Sequence, residues 1–175
     1  MPRNRVAAIE GWFTLDDEPR LIGTKCVDSG TYFFPPETTM SRAPGHSTSE
    51  LVPVELSRTG KLWSYTNAGY KPPEPYIAVT DPYEPFLIAA VELDAEKIVV
   101  LGQCVPGVTS ADVTVGDEME LVLDTLYSDE EAADGPTDHV VWKWKPVGWT
   151  GPVGASASTS ASTSAGAPGA AEGGQ

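Results

Sequence analysis

Histidine and cysteine are scarce in this 175-residue chain: the only imidazoles are His46 and His139, and the only thiols are Cys26 and Cys104. Nucleophilic catalysis of the triad kind needs a base beside its nucleophile, and two imidazoles leave little room for one. The stretch Gly45, His46, Ser47, Thr48, Ser49 lacks the closing glycine and the strand–turn–helix setting of a nucleophile elbow. Neither a G-x-G-x-x-G nor a Walker A sequence is present, which removes the usual phosphate cradles. Cations are few as well: 11 Lys and Arg face 25 Asp and Glu, for a formal charge of −14. Nucleic-acid affinity rests largely on cations that neutralise phosphates, so a chain this acidic is a poor nucleic-acid binder unless its cations gather in one patch. Long apolar runs are also missing. Nothing approaches the roughly 20 apolar residues that span a bilayer, and the start, with Arg3 and Arg5, has no apolar stretch of signal-peptide length. These absences predict a cytoplasmic protein with no membrane partner, whose two cysteines stay as thiols in a reducing pool.

The last 25 residues, 151–175, hold no aromatic side chain and one charge, Glu172. They cannot bury enough apolar surface to offset the entropy of ordering, which predicts a disordered Ala/Ser/Gly-rich tail over 150–175. The remainder is about 150 residues, enough for one domain or a domain with a small satellite. It keeps a charge of −13, because Glu172 is the tail's whole contribution.

What is present divides the chain into an N-terminal segment over 1–20, an irregular module over 21–50 and a β-rich body over 51–149. Val6 to Trp12 reads as one or two helical turns, too short to be stable alone. From Leu21 to Pro53, Gly, Pro, Ser and Thr dominate and periodicity fails. About thirty residues with so little regular structure inside a compact domain call for a metal, a ligand or a partner. After Leu51, Val52, Val54 and Leu56 alternate with polar positions, and Leu62 to Tyr65 follows a turn and alternates again. Stiff proline loops lead to an apolar stretch at Tyr76 to Val79. Phe86–Val91 and Lys97–Leu101 read as central strands joined by a hairpin at Asp94 to Glu96. Val108 to Gly116 opens with a capping pattern and predicts a short helical turn. Met119, Leu121 and Leu123 share one face of the next strand, and Trp142 and Trp144 share one face of the last. This order of elements predicts an all-β fold, a five- to six-stranded OB barrel rather than an immunoglobulin-type sandwich. Trp63 is expected in the barrel core, Trp144 and Trp149 at a partner surface, Cys104 as a small buried hydrophobe, and His139 in a solvated or strand-capping role.

Leu21, Gly23, Cys26, Ser29, Gly30, Phe34, Pro35 and Pro36 follow the spacing L-x-G-x-x-C-x-x-C-G-x-x-x-F-P-P, and Ser57, Gly60, Leu62, Ser64, Tyr65 and Thr66 follow S-x-x-G-x-V-x-S-[YF]-T. With the later Gly116 to Leu121, these stretches make residues 11–146 resemble the rubredoxin-like zinc-ribbon plus OB-fold family that accompanies thiolases. The resemblance implies a zinc-ribbon module ahead of the barrel, with ligand positions at Cys26, Ser29, Ser41 and His46. Two of those four are hydroxyls. Structural zinc sites are closed tetrahedra of thiolate and imidazole, so the ribbon is expected to be degenerate and to hold no zinc, with Asp28 and Glu37 as candidate substitute oxygen ligands. Tyr32, Phe33 and Phe34 against the barrel would then organise the loop in the metal's place.

The resemblance also implies a non-catalytic accessory subunit of a thiolase-superfamily, lipid-transfer-protein-like enzyme. Such a subunit supports acyl-CoA binding in lipid or steroid side-chain degradation, holds no cofactor tightly and shares a CoA thioester with its partner. Lys25, Arg42, Arg58, Lys61 and Lys71 are the cations nearest the first hairpin that could meet CoA phosphates. The partner-facing surface is expected at Ile9 to Phe13, part of the ribbon loop and Tyr70 to Pro73. The alternative is a single-strand nucleic-acid-binding OB module, which needs aromatic platforms and a basic groove. An independent enzyme acting on acyl-CoA thioesters ranks below both.

Overall fold

A computed structural model describes residues 3–73, 82–151 and 153. The apolar stretch Tyr76 to Val79, Pro75 and the tail beyond 153 lie outside the described residues. The described residues carry nine strands and no helix: β1 (Asn4–Ala7), β2 (Ile22–Cys26), β3 (Tyr32–Phe33), β4 (Leu51–Glu55), β5 (Thr59–Ala68), β6 (Phe86–Leu93), β7 (Ile98–Gln103), β8 (Glu118–Asp129) and β9 (Thr137–Pro146). The all-β OB fold expected from the pattern of short strands is the fold observed.

Six strands form one curled sheet in the order β1-β9-β8-β5-β6-β7. Its two ends approach each other where Cys104, just past β7, makes a parallel bridge to Trp144 of β9. The Val105 N–H donates to the Trp144 carbonyl at 2.9 Å across the same gap. Leu62, Leu87, Val91, Leu93, Val100, Met119, Leu121, Val140 and Trp144 fill the interior. Burying each such aliphatic side chain contributes roughly 1.5–3 kcal/mol, and their alternation along β5 to β9 decides which face of each strand turns inward.

The smaller sheet, β3-β2-β4, precedes the barrel. Val52 and Val54, whose alternation pointed to the barrel, belong to this second sheet: β4 pairs antiparallel with β2, from Ile22 opposite Glu55 to Cys26 opposite Leu51. Alternation identifies a strand but not its partner. The barrel begins only at Thr59, and the junction is fixed by Glu96, whose Oε1 accepts the Ser57 N–H at 2.8 Å and the Ser57 hydroxyl at 3.0 Å.

Two helical expectations are corrected. Residues 4–7 form a parallel edge strand, Asn4 opposite Thr137 through Ala7 opposite Val140. Four residues are too few for periodicity to separate helix from strand, and the pairing partner lies over a hundred residues away. Val108 to Gly116 forms turns. Asp112, part of the capping pattern, accepts the Thr109 N–H and hydroxyl, and Asp117 accepts the Thr114 N–H, so both carboxylates close turns rather than start a helix. Val108 and Val113 are buried beneath these turns.

The hairpin between β6 and β7 is a four-residue turn in which the Lys97 N–H donates to the Leu93 carbonyl at 2.8 Å. β7 stands at the end of the hydrogen-bonded order and exposes Val99 and Leu101, so it is not covered on both faces as its apolar composition suggested.

Candidate functional site

The irregular module meets the barrel through an aromatic seam. Trp12 and Trp142 each stand 5.6 Å from the Phe34 ring in edge-on geometry, and Trp12 lies 6.0 Å from Trp142. Phe13 meets Trp142 edge-on at 6.0 Å and is bridged to Leu21. Lys25 lies over the Tyr32 ring at 5.0 Å. Offset and edge-on arrangements of this kind add to the area they bury. The N-terminal segment therefore has an internal role: Phe13 is core and Trp12 packs against it, which removes both from the expected partner surface. Tryptophan placement is corrected as well. Trp144 has no exposed area and lies in the barrel core, whereas Trp63, beside a bulge in β5, is 61% exposed. Trp63 follows the buried Leu62 and so takes the opposite, outward face of β5, beside the register shift between Leu62 and Ser64; its aromatic character alone pointed to the core.

Under the seam, the end of β2 delivers Cys26 into a corner built by three loops. The tight turn after β2 closes with the Gly30 N–H donating to the Cys26 carbonyl at 2.9 Å, Gly30 taking a φ of 71° that glycine allows without strain. Burial pushes the Cys26 thiol up, but hydrogen bonding from the side chains of Ser29, Ser41 and Ser49 and from the Ser29 backbone outweighs it and lowers the thiol to about 6. Three of the four ligand positions implied by the family resemblance thus come together: Cys26, Ser29 and Ser41. The hydroxyl that completes the group is that of Ser49, and His46 is not among the groups that hydrogen-bond Cys26.

The backbone presents each hydroxyl. The Thr31 N–H donates to Ser29 Oγ at 3.3 Å, the Ala43 N–H to Ser41 Oγ at 3.2 Å and the Asp28 N–H to Ser49 Oγ at 3.2 Å. Ser41 is buried. Glu37, one of the substitute oxygen ligands considered, is occupied elsewhere: Arg42 pairs with it at 2.5 Å. Among the described residues no three His, Cys, Asp or Glu side chains gather as a metal site. One thiol and three neutral hydroxyls do not match the donors that hold structural zinc.

The five cations considered for CoA lie on different elements, and four already have partners. Arg42 pairs with Glu37, Arg58 reaches Glu18 at 3.8 Å and Glu120 at 3.6 Å, Lys61 reaches Asp94 at 3.9 Å, and Lys25 covers Tyr32. On the barrel wall, Lys145 also meets Glu120, and the shielded Lys143 pairs with Asp124 at 2.5 Å. His139 stacks on Tyr127 at 4.3 Å. Cys104 is buried, and burial raises its thiol to about 12, in keeping with a packing role.

With this geometry in view, comparison with known proteins is direct. The family model of the ChsH2 C-terminal OB-fold domain matches residues 53–124, from within β4 to within β8. Residues 53–124 are thus similar to the ChsH2 C-terminal OB-fold domain. A DUF35 domain-containing scaffold protein of Methanocaldococcus jannaschii is 26% identical over 139 residues, covering 79% of this chain and 90% of that protein. Among solved structures, the Ltp2-ChsH2(DUF35) aldolase aligns with a TM-score of 0.48 and 23% identity over 73% of this chain and 85% of that chain. The matched segment holds β5, β6 and β7 whole, while β9, which supplies Trp142 and Trp144, lies beyond it. No helix among the described residues is long and apolar enough to cross a membrane.

Proposed function

We propose that this protein is a non-catalytic accessory subunit that docks on a thiolase-superfamily, lipid-transfer-protein-like enzyme and supports its handling of acyl-CoA. The match of residues 53–124 to the ChsH2 OB-fold domain carries this reading. The archaeal relative, described as a scaffold protein and matched over 90% of its length, supports the accessory role. The chemistry is the partner's. On this chain the polar side chains around the seam are engaged in structure: the Cys26 corner holds loops together, and most of the cations near the first hairpin are paired with carboxylates.

Once Trp12 and Phe13 are assigned to the interior, the partner-facing surface of this reading centres on the loop after β5. Tyr70 is 76% exposed there, next to Lys71 and the stiffening pair Pro72 and Pro73. An exposed aromatic beside prolines gives contact area at small entropic cost. Lys71 is the cation this reading assigns to the CoA phosphates.

The test is co-expression of the full chain with a lipid-transfer-protein-like thiolase or aldolase of the same organism, followed by affinity capture and acyl-CoA turnover. The expected result is a stable complex, turnover that depends on both chains, and loss of capture on Tyr70→Ala. Thioester turnover by the isolated chain would overturn the accessory role. Salt-dependent capture of single-stranded DNA by the isolated chain would favour a nucleic-acid role instead.

A further inference from the structure

β5 is paired on both sides along only part of its length. Over its first residues it pairs with β8, from Thr59 opposite Glu120 to Lys61 opposite Glu118. The segment before β8 extends this by one residue: the Gly116 N–H donates to the Leu62 carbonyl and the Leu62 N–H to the Asp117 carbonyl, both at 2.8 Å. From Trp63 to Ala68 the one strand beside β5 among the described residues is β6. The register fixes which backbone groups are left at the open side. The Cys104 N–H donates to the Leu87 carbonyl, so Leu87 and, two residues on, Ala89 turn their polar groups to β7. Tyr65 stands opposite Ala89 and Asn67 opposite Leu87, so both turn theirs away from β6 and out to the open edge. The Asn67 carbonyl accepts the Gly69 N–H at 3.0 Å. The Tyr65 N–H and carbonyl and the Asn67 N–H have no strand partner among the described residues.

The other long edges are protected. β4 carries Pro53, β1 is four residues long behind an Arg3 held by Glu130 and Asp138, and on β7 the Leu101 carbonyl takes the Trp142 indole N–H. Proline, charge, shortness and cover are the usual devices against edge pairing. Over Trp63 to Asn67 β5 has none of them: all five residues are exposed, Trp63 by 61% and Tyr65 by 37%. This open edge leads directly into Tyr70 and the proline loop. Where β8 joins it, Lys61 stands between Glu92 and Glu118 in the register and pairs with Asp94 at 3.9 Å, so carboxylates outnumber cations there. A second copy would bring the same excess, 25 acids against 11 bases, to the contact, whereas a strand flanked by Lys or Arg is complementary.

We propose that the enzyme on which this chain docks adds an extended strand to the open edge of β5, continuing the sheet beyond Trp63 to Ala68. This mode of docking rests on the proposed function for the partner's identity and adds how the partner is held. Backbone hydrogen bonds form at Tyr65 and Asn67, apolar side chains of the incoming strand cover the Trp63 and Tyr65 rings, and its basic residues face Glu92 and Glu118.

Residue-resolved amide exchange on the full chain, free and in the co-expressed complex with the lipid-transfer-protein-like enzyme, tests this. The Tyr65 and Asn67 amides should exchange about tenfold more slowly in the complex, while those of Ser64 and Thr66, which face β6, change little. Tyr65→Pro deletes the outward N–H at a position where an edge strand tolerates proline, and should weaken capture of the enzyme about tenfold. Tyr65→Val loses the ring but keeps the N–H, and should bind more tightly than Tyr65→Pro. Equal capture by these two variants, or edge amides that exchange alike in the free chain and the complex, overturns strand addition and leaves the proposed function standing. No capture by the unaltered chain overturns the proposed function, and with it the occupant named here. A concentration-dependent dimer of the free chain that Tyr65→Pro abolishes gives the edge to a second copy and also overturns the proposal. If Tyr65→Pro does not fold, the exchange pattern of the unaltered chain decides.

Discussion

Gly102 lies directly beneath Trp144: a Cβ added at Gly102 would stand 2.8 Å from Trp144 Cδ1 and 2.9 Å from Trp142 Nε1. This is where the sheet closes on itself, for Leu101 accepts a hydrogen bond from the Trp142 indole at 3.2 Å and Cys104 bridges Trp144. Trp144 is fully enclosed, so the rings have nowhere to retreat. Gly102→Ala should destabilise the fold by about 1–3 kcal/mol through overpacking, read as a lower urea midpoint. Gly69→Ala, where no heavy atom lies within 4 Å of the added Cβ, is the control and should leave the midpoint nearly unchanged.

Lys143 and Asp124 form the most shielded ion pair among the described residues, with side chains 10% and 3% exposed. Asp124 Oδ1 also accepts the Thr125 N–H at 2.8 Å, so both carboxylate oxygens are used. Removing one partner strands the other charge. Asp124→Ala alone should cost about 3–5 kcal/mol, while Asp124→Leu with Lys143→Met should cost clearly less, because no uncompensated charge is left. A double-mutant cycle by chemical denaturation measures the coupling, and additive losses would show that the pair is not coupled.

Most of the barrel was legible because a continuous apolar run, as at Phe86 to Val91, marks a strand, and alternation, as at Met119, Leu121 and Leu123, assigns an inward face as well. Short elements and long-range partners were not. β1 has four residues and no local signal, and β4 shows its alternation without showing that it pairs with β2. The same limit governs the Cys26 corner. Spacing identifies Cys26, Ser29 and Ser41, but between Gly45 and Ser49 the sequence offers a histidine and three hydroxyls, and ligand chemistry favours the histidine. The β2–β4 register brings the Ser49 end of this stretch beside the turn after β2: Leu51 stands opposite Cys26, the Val27 N–H donates to the Glu50 carbonyl and the Asp28 N–H donates to Ser49 Oγ. Trp63 and Trp144 were exchanged between surface and core for a similar reason, since a bulge and a closing bridge are set by pairing rather than by composition.

The aromatic seam makes the N-terminal segment structural. Trp12 joins Phe34 of the small module to Trp142 of the barrel, and Phe13 packs on the same indole. Trp12 is half-buried, so Trp12→Ala should cost roughly 2 kcal/mol, less than a fully buried tryptophan. The loss should appear first as faster amide exchange at the seam, in β3 and the following loop, while β6 stays protected. Unaltered exchange in β3 would show that the small module does not depend on the seam.

Cys26 and Cys104 should separate cleanly on titration. Hydrogen bonding holds Cys26 at about 6, against a usual thiol value near 8.5, while burial holds Cys104 at about 12. Thiolate absorbance of the folded chain should therefore show one ionisation near pH 6 and no second below pH 10, with Cys26→Ser removing the first. The sign of the stability effect follows from linkage. Between about pH 6 and 8.5 the folded chain binds fewer protons at Cys26 than the unfolded chain, so stability rises with pH across this window. The contribution is complete above about 8.5 and is lost as pH falls through 6. The midpoint of the unaltered chain, minus that of Cys26→Ser, should grow from pH 5.5 to pH 8.5. A difference constant over that range would show that the three hydroxyls do not favour the thiolate, and would place Cys26 with Cys104 as a packing residue.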